Sequence, residues 1–361
     1  MLEFLTPHLS LIIEGGPPCH SLNSKKCFIS KVTKDDNAMK VEKVVLNQAV
    51  GHILLHNQIG PDGRKALKKG LKLSEADIRQ LETLGKSQVY VAMLDDDDIN
   101  ENDGARRLGQ LIAGKGIKAA TATTGRVNLI AETAGVFKVN VDALLEFNNQ
   151  PGITLGTIAN NSQVQPKKIL GTIKIIPYSV PRAALEAAET IAANSSLVKL
   201  MPFTIKQAAL ITTGNEEARQ KTVDGFTPPL RDRLASYGAE MIEGPFVPED
   251  EQEIGEAIQW AVGAGAEMIL IAGETSIMDI DDITPRAIRA VGGQVIHHGV
   301  PVEPGNLLLL AYYHHIPIVG APGCAKSKSY NVVDMVLPRL AAGEHLTRRD
   351  LIELGHGGYL K

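Results

Sequence analysis

Cysteine is scarce in this sequence, and so are aromatic residues. The 361 residues include three cysteines, Cys19, Cys27 and Cys324, and no Cys-x-x-Cys pair. An odd and widely spaced set argues against a disulfide framework and a cysteine-rich zinc site, and it favours a reducing compartment. Aromatic residues make up only 4% of the chain. We therefore predict a core built from Ile, Leu, Val and Ala.

The sequence also lacks an excess of positive charge and long apolar runs. Its formal net charge of -4 at pH 7 gives no electrostatic footprint for nucleic acid. No apolar run approaches the length that spans a bilayer. Residues 1–7 lack the basic start and the apolar stretch of a signal peptide. We expect a cytoplasmic globular protein that has neither nucleic acid nor membrane among its partners.

The chain divides by pattern into four parts. Residues 1–38 show no sustained period and are interpreted as a disordered leader or an artefact of an upstream start codon. Residues 39–206 form a mixed α/β region, in which helices are predicted over 75–84, 104–113, 141–147 and 182–194. Residues 207–342 alternate regularly between short apolar runs and amphipathic stretches. Residues 343–361 are interpreted as a C-terminal tail.

The alternating part predicts an α/β domain with a parallel sheet and helices on both faces, in three layers. Its strands are predicted at residues 207–211, 240–242, 268–272, 294–297 and 316–319. Its helices are predicted at residues 229–237, 251–264, 286–291 and 331–341. A smaller mixed α+β region precedes this domain.

Three loops that contain glycine follow strands of the predicted sheet, at residues 212–216, 273–276 and 321–325. Glycine allows backbone N–H groups to approach an oxyanion closely, and a following helix N-terminus adds a favourable dipole. Hydroxyl groups of the loops can donate to the same anion, and Lys326 and Lys328 add positive charge nearby. Three such loops at one sheet edge predict a ligand that carries phosphate.

Acidic residues follow the second loop. Asp279 and Asp281 could hold Mg²⁺ against a phosphate or orient a hydrolytic water, and Glu216 and Asp250 could face the same pocket. The alternative is that Asp281 or Asp282 caps the helix near Thr284.

The histidine pairs and Cys324 are two further candidates for chemistry. His297-His298 and His314-His315 cannot chelate as pairs, because adjacent side chains on a strand point to opposite faces; we interpret them as edge or turn residues. Cys324 follows Pro-Gly in a loop whose N–H groups could lower its thiol pKa.

Taken together and in this order, the loops resemble the molybdopterin-binding domain of molybdenum-cofactor biosynthesis proteins. The matching segments are Thr-Gly-Asn-Glu at 213–216, Gly-Glu-Thr-Ser-Ile-Met-Asp-Ile-Asp at 273–281, His-Gly-Val at 298–300 with Glu-Pro-Gly-Asn at 303–306, and Ala-Pro-Gly-Cys-Ala at 321–325. Upstream, residues 49–54 and 77–81 resemble the molybdenum-insertion proteins of this family. Residues 124–129 and 171–177 are more similar to a branch described only as molybdopterin-binding proteins.

The resemblance implies a protein that binds molybdopterin or its nucleotide in cofactor assembly or delivery; turnover, if present, would be of the molybdopterin molybdotransferase type. Mg²⁺, a homo-oligomer, and a molybdoenzyme or another cofactor-biosynthesis protein as partner are implied with it. The implied binding residues are Thr213, Gly214, Glu216, Gly273, Thr275, Ser276, Pro304, Gly305, Pro322 and Gly323. Asp279 and Asp281 are the implied metal ligands, and together with Glu274 they are the candidate catalytic residues.

Two departures from the family pattern keep alternatives open. Glu274 and Glu303 stand where the insertion proteins have glycine and lysine, and they add negative charge where a phosphate would bind. Glu274 either turns outward or joins Asp279 and Asp281 around Mg²⁺. The alternative function is a Mg²⁺-dependent nucleotide pyrophosphatase, because the same domain resembles part of the competence-damage-inducible proteins.

Overall fold

Residues 40–176 and 178–360 are described by the computed structural model of the chain. The prediction of a disordered leader or start-site artefact over residues 1–38 lies outside these residues. Within the described ranges, no helix has both the length and the apolar composition needed to cross a bilayer.

A small antiparallel sheet and one helix form the first part. The elements are β1 (Val41–Val45), β2 (Ile53–Leu54), β3 (Gln58–Ile59), β4 (Lys65–Leu67), α1 (Glu75–Thr83) and β5 (Gln88–Ala92). β5 lies between β1 and β2. α1 begins where predicted, because the Ser74 hydroxyl accepts the Asp77 N–H while the Asp77 carboxylate accepts the Ser74 N–H. Such a reciprocal capping box satisfies two of the free donors at a helix start.

A mixed region of short strands and three helices follows. Its elements are β6 (Asp98–Asn100), α2 (Glu101–Ile112), β7 (Ile117–Ala119), β8 (Arg126–Ala131), β9 (Gly135–Val139), α3 (Val141–Asn148), β10 (Ile153–Thr157), β11 (Ser162–Val164), β12 (Ile169–Ile175), β13 (Ser179–Pro181), α4 (Arg182–Asn194) and β14 (Val198–Pro202). All strand pairs here are antiparallel, and one aliphatic cluster with Phe137 and Phe147 fills the region. α2 begins three residues before the predicted start, because the Asn100 side chain accepts the Asn102 N–H.

The last part is an α/β domain, as predicted. Its elements are β15 (Gln207–Thr213), α5 (Arg219–Ser236), β16 (Glu240–Val247), α6 (Glu251–Gly263), β17 (Met268–Gly273), α7 (Ile283–Ala290), β18 (Gln294–His298), β19 (Leu309–Tyr313), β20 (Ile316–Gly320), α8 (Val332–Ala341) and α9 (Arg348–Ile352). Alternate residues of each central strand face opposite layers. Ala208 and Leu210 pack with α5 and α8, whereas Ala209 and Ile211 pack with α6 and α7. The three-layer prediction is confirmed.

The sheet is mixed rather than wholly parallel, which corrects the prediction. Its strand order is β16-β15-β17-β20-β19-β18. The first four strands are parallel to one another, whereas β19 is antiparallel to β20 and β18 is antiparallel to β19. β19 was not predicted, because its apolar run is separated from β20 by only the short His314-His315 turn. β18 is an edge strand, which agrees with the interpretation of His297 and His298 as edge residues.

Two other segments differ from expectation. α5 begins ten residues before the predicted start and runs through Pro228 and Pro229; burial of Thr222 and Phe226 stabilises the earlier turns. Residues 343–360, for which a tail was predicted, contain α9 and bury Leu346 and Leu351 in the same core as α8. The domain boundaries remain predictions.

Candidate functional site

A cleft lies at the carboxyl ends of β15, β17 and β20. The cleft is shallow, and the roughly 380 Å³ of atom-free space in and above it includes open solvent. Such an edge is where open α/β sheets bind ligands. Four of the predicted binding residues line it, namely Thr213, Gly273, Thr275 and Ser276. The other lining residues are Glu249, Ile271, Ile277, Asp282, Ile283, Thr284 and Ala321.

The β15 loop (residues 212–216) forms one wall through a close backbone approach. Gly214 has a φ of +153°, and a Cβ placed there would lie 2.9 Å from the Cβ of Glu274. Only glycine allows this approach without displacement of the second loop. Asn215 accepts the Ala218 N–H through its side chain at 2.8 Å. Glu216 is exposed and pairs with Arg219 at 2.9 Å, and it is not among the residues that line the cleft.

The β17 loop (residues 273–276) contributes the most donors. A Cβ at Gly273 would lie 2.8 Å from Thr213 Oγ1, so the glycine lets the two loops meet. Glu274 is exposed, and its Oε2 accepts the Asn215 N–H at 3.2 Å. The carboxylate thus bridges to the β15 loop, an arrangement that neither predicted orientation describes. The catalytic assignment of Glu274 remains a prediction.

Glu249 is a cleft residue that the sequence reasoning missed. Its Oε1 accepts hydrogen bonds from Thr275 Oγ1 at 2.6 Å and from the Thr275 N–H at 3.3 Å. Asp250, the neighbour considered in its place, instead caps α6 by accepting the Gln252 and Glu253 N–H groups. The predicted strand stopped at residue 242, whereas β16 continues to Val247. Asp before a helix with Glu in its first turn is a helix-start signal, and with Asp250 as the cap of α6, Glu249 lies between the end of β16 and that cap.

The aspartates after the β17 loop bond to residues close to them in sequence rather than converging on one metal position. Asp282 is the cap of α7, since it accepts the Ile283 N–H at 2.8 Å and the Met278 N–H at 3.0 Å. Asp281 pairs with Arg289 at 3.1 Å, and Asp279 accepts the Asp281 N–H at 2.8 Å. Both are exposed and neither is among the residues that line the cleft. Their assignment as metal ligands remains a prediction.

The cis-proline loop (residues 303–306) and the β20 loop (residues 321–325) contact each other beside the cleft. The Glu303–Pro304 peptide is cis. A Cβ at Gly305 would lie 2.1 Å from Val332 Cγ1 and 3.3 Å from Cys324 Sγ, so this glycine packs between α8 and the β20 loop. A Cβ at Gly323 would have Ser276 Oγ as its nearest neighbour, at 3.9 Å. Gly323 therefore adjoins the β17 loop, whereas Gly305 packs against α8. The predicted binding residues of these two loops, Pro304, Gly305, Pro322 and Gly323, are not among those lining the cleft.

A family model described as a probable molybdopterin binding domain matches residues 209–342. This segment is similar to that family. A second model, described only as a domain of unknown function, matches residues 43–93. All loops of the cleft and the cis-proline loop lie inside the molybdopterin-binding domain.

Relatives named for molybdenum-cofactor synthesis are similar to parts of the chain. A molybdopterin molybdenumtransferase of Synechococcus elongatus is 28% identical over 152 residues, which are 39% of this chain and 38% of the relative. The chain thus spans under two-fifths of that relative. A molybdenum cofactor biosynthesis protein from Pyrococcus furiosus shares 14% identity over 85% of this chain and 64% of its own, with a TM-score of 0.25. A MoaB structure from Thermus thermophilus shares 18% identity over 39% of this chain and 98% of its own, with a TM-score of 0.28.

The cleft of the molybdopterin-binding domain is acidic. Within the described residues, its lining includes the carboxylates of Glu249 and Asp282 but neither lysine nor arginine. The lysines expected to add positive charge have other contacts. Lys326 lies over the Phe226 ring, 4.6 Å from its centroid, and Lys328 pairs with Asp232 at 2.7 Å. The cleft therefore offers hydroxyl and amide donors without a basic side chain among its lining residues.

Cys324 does not have the activated thiol that its loop position suggested. Burial raises the pKa of the Cys324 thiol above its ordinary value, although the Arg233 guanidinium acts in the opposite direction. A neutral thiol is a weak nucleophile. The hypothesis of a low pKa at Cys324 is therefore wrong, because desolvation outweighs the nearby positive charge.

Proposed function

We propose that the molybdopterin-binding domain holds molybdopterin, or a nucleotide of molybdopterin, in this cleft, and that the protein acts in the assembly or delivery of the molybdenum cofactor. The observation that carries the proposal is the convergence of the β15 and β17 loops on one cleft within the segment that matches the family. Thr213, Thr275 and Ser276, which the sequence had assigned to binding, line that cleft together.

The residues fit a phosphate group held by hydroxyl donors. Thr213, Thr275 and Ser276 carry hydroxyls that line the cleft, and Gly273 lets the β15 and β17 loops approach each other closely enough to bring these hydroxyls together. Thr284 and Ala321 line the same space. When bound, molybdopterin would supply the dithiolene group that holds the metal, and the chain would supply its orientation.

Mg²⁺ would offset the negative charge of the cleft. Glu249 and Asp282 are the carboxylates that line it, whereas the predicted ligands Asp279 and Asp281 lie outside the lining. In residues 40–176 and 178–360 no group of three or more His, Cys, Asp and Glu side chains is arranged for a metal ion. Titration calorimetry with MgCl₂ on the wild type and on Asp279→Asn tests the predicted assignment, which requires weaker Mg²⁺ binding by the variant.

Binding of purified molybdopterin to the wild type and to Ser276→Ala is the main test. A hydroxyl that donates to a phosphate is worth about 1.5–3 kcal/mol, so we expect about a 10- to 150-fold rise in Kd. Ser87→Ala, which removes an exposed hydroxyl far from the cleft in sequence, is the matched control and should bind as the wild type does. Equal affinity of all three proteins would contradict the site.

The nucleotide pyrophosphatase is the alternative function, and the acidic cleft is the observation that favours it. Incubation with ADP-ribose and Mg²⁺, followed by chromatography of the products, separates the two. Turnover of ADP-ribose without measurable affinity for molybdopterin would overturn our proposal. Molybdotransferase-like turnover remains a prediction.

We also infer a cytoplasmic homo-oligomer that meets a molybdoenzyme or another cofactor-biosynthesis protein. Exposed apolar side chains support an interface, among them Leu145 and Val141 on α3, which are 72% and 61% exposed. The small net charge does not oppose self-association strongly. Light scattering that finds a monomer at micromolar concentration would count against an oligomer.

A further inference from the structure

The chain's own carboxylates accept hydrogen bonds from several of the donors that the loops of the cleft would offer to an anion. Glu249 accepts from the hydroxyl and N–H of Thr275, and Glu274 accepts from the Asn215 N–H. Asp282 accepts from the N–H groups of Ile283 and Met278. An external phosphate must therefore compete with side chains that are already in place.

Glu249 is the carboxylate best placed for this competition. It lines the cleft and is half-buried. Its Oε1 lies 3.4 Å from the position of a Cβ at Gly273, where the β15 and β17 loops meet. The backbone on both sides is fixed, because the Asp250 N–H donates to the Pro248 carbonyl and the Asp250 carboxylate caps α6.

The negative charge of Glu249 and its hydrogen bonds to Thr275 both oppose the binding of free phosphate. A phosphate that bonds to Thr275 must displace the Glu249 carboxylate or lie beside it, and two like charges a few ångströms apart repel strongly in a partly desolvated site. In the described chain no lysine or arginine lines the cleft to offset this repulsion. Free phosphate, unlike a phosphate ester, has no second part that could make up the loss through further contacts.

We propose that Glu249 is a specificity-determining residue that acts as an internal anion: it keeps free inorganic phosphate out of the cleft and admits a phosphate monoester whose remaining part makes further contacts there. The inference rests on the proposed function for the identity of that ester. It extends the proposal by naming the residue that rejects a small and abundant competitor for the same donors.

The test is phosphate binding by titration calorimetry and ³¹P line broadening, without added metal. Glu249→Ala should bind inorganic phosphate at least tenfold more tightly than the wild type does. Glu249→Gln should lie between them, because its amide oxygen still accepts from Thr275 but carries no charge. Adding Thr275→Val to Glu249→Ala should abolish the gain, because the hydroxyl donor is then absent.

Glu253→Ala is the matched control, since Glu253 is an exposed carboxylate in the first turn of α6. It should bind phosphate as weakly as the wild type. An equal gain in the Glu253 variant, or no gain in either Glu249 variant, would overturn the inference. Thermal melts establish that each variant is folded; Glu249→Gln, which keeps the shape of the side chain, decides the question if the alanine variant does not fold.

The two proposals fail separately. If the wild type binds molybdopterin but the Glu249 variants gain no affinity for phosphate, only the role of Glu249 is wrong. If the variants gain affinity for phosphate but no protein binds molybdopterin, the proposed function is wrong and the exclusion of phosphate stands.

Discussion

Arg233 on α5 and Asp334 on α8 form a bidentate ion pair, with Nε–Oδ1 and Nη2–Oδ2 distances of 2.8 and 3.0 Å. The Arg233 side chain is 8% exposed. Its remaining donors reach the carbonyls of Ala325 at 3.2 Å and Ser327 at 2.9 Å. One buried guanidinium therefore ties two helices to the segment that continues from the β20 loop.

Replacement of Arg233 should destabilise the domain. Arg233→Met leaves the Asp334 carboxylate and two carbonyls without these donors, and loss of one partner of a buried pair costs roughly 3–5 kcal/mol. Arg233→Lys should recover only part of this, because an ammonium lacks the planar fork. Urea unfolding measures both. Arg231→Met is the control, since Arg231 pairs with Glu243 on the surface and should change stability by less than about 1 kcal/mol; a similar loss in both methionine variants would contradict the role of Arg233.

Alanine substitutions at Gly305 and Gly323 should have different effects, the first on the stability of the fold and the second on ligand affinity. Gly305→Ala would place a methyl group 2.1 Å from Val332 Cγ1 at a φ of +129°, so we expect a loss of about 1–3 kcal/mol of stability. Gly323→Ala meets nothing closer than Ser276 Oγ at 3.9 Å, and the fold should tolerate it. Its methyl group faces the β17 loop, and molybdopterin affinity should fall. Equal melting temperatures for the two variants would contradict this division.

Acid should remove the contribution of Glu344 to stability. Burial alone would raise the pKa of Glu344, but hydrogen bonds from Arg339 and Lys138 lower it below its ordinary value. A carboxylate with a lowered folded-state pKa stabilises the fold above its unfolded-state pKa, near 4.3, and loses that contribution as pH falls through the folded-state pKa. Glu344→Gln should therefore cost about 1.5–3 kcal/mol at pH 7. In urea titrations across pH, the difference from the wild type should shrink below about pH 4; a difference that stays constant to pH 3 would refute this account.

Cys324 should react slowly with thiol reagents at neutral pH. Its raised pKa keeps the thiol protonated, and only the thiolate is nucleophilic. In a protein in which Cys19 and Cys27 are replaced by serine, the rate with a disulfide reagent should be well below that of glutathione at pH 7 and should increase as pH rises. A rate at pH 7 equal to that of the free thiol would show that the thiol is activated after all.

The helices and strands with regular apolar spacing could be predicted from local sequence. The other elements depend on tertiary contacts. The strand at β17 and the helices α4 and α6 follow from apolar spacing alone. The reversed direction of β19, and the position of β18 beyond it at the edge of the sheet, depend on long-range strand pairing that no local window contains. Pro228 and Pro229 looked like a helix start, yet burial of Phe226 extends α5 in front of them.

The positions of the loops at the candidate site could be predicted from the sequence, but the contacts of its acidic side chains could not. The order of the glycine motifs placed Thr213, Gly273, Thr275 and Ser276 at one edge, because carboxyl ends of parallel strands coincide there. The direction of an acidic side chain in a loop depends on partners distant in sequence. Arg289 holds Asp281, and Thr275 holds Glu249. Neither partner could be assigned from spacing.

The contacts of Arg339 limit how this domain could be exchanged between proteins by recombination. Its guanidinium, with the side chain 4% exposed, donates to Glu344 and Asp350, and Glu344 also accepts from Lys138 on β9. A cassette cut at residues 207 and 342 would keep the guanidinium and discard every carboxylate that it contacts. A transferable unit must therefore carry residues 343–354 with it, and its new host must present a cation where Lys138 now lies.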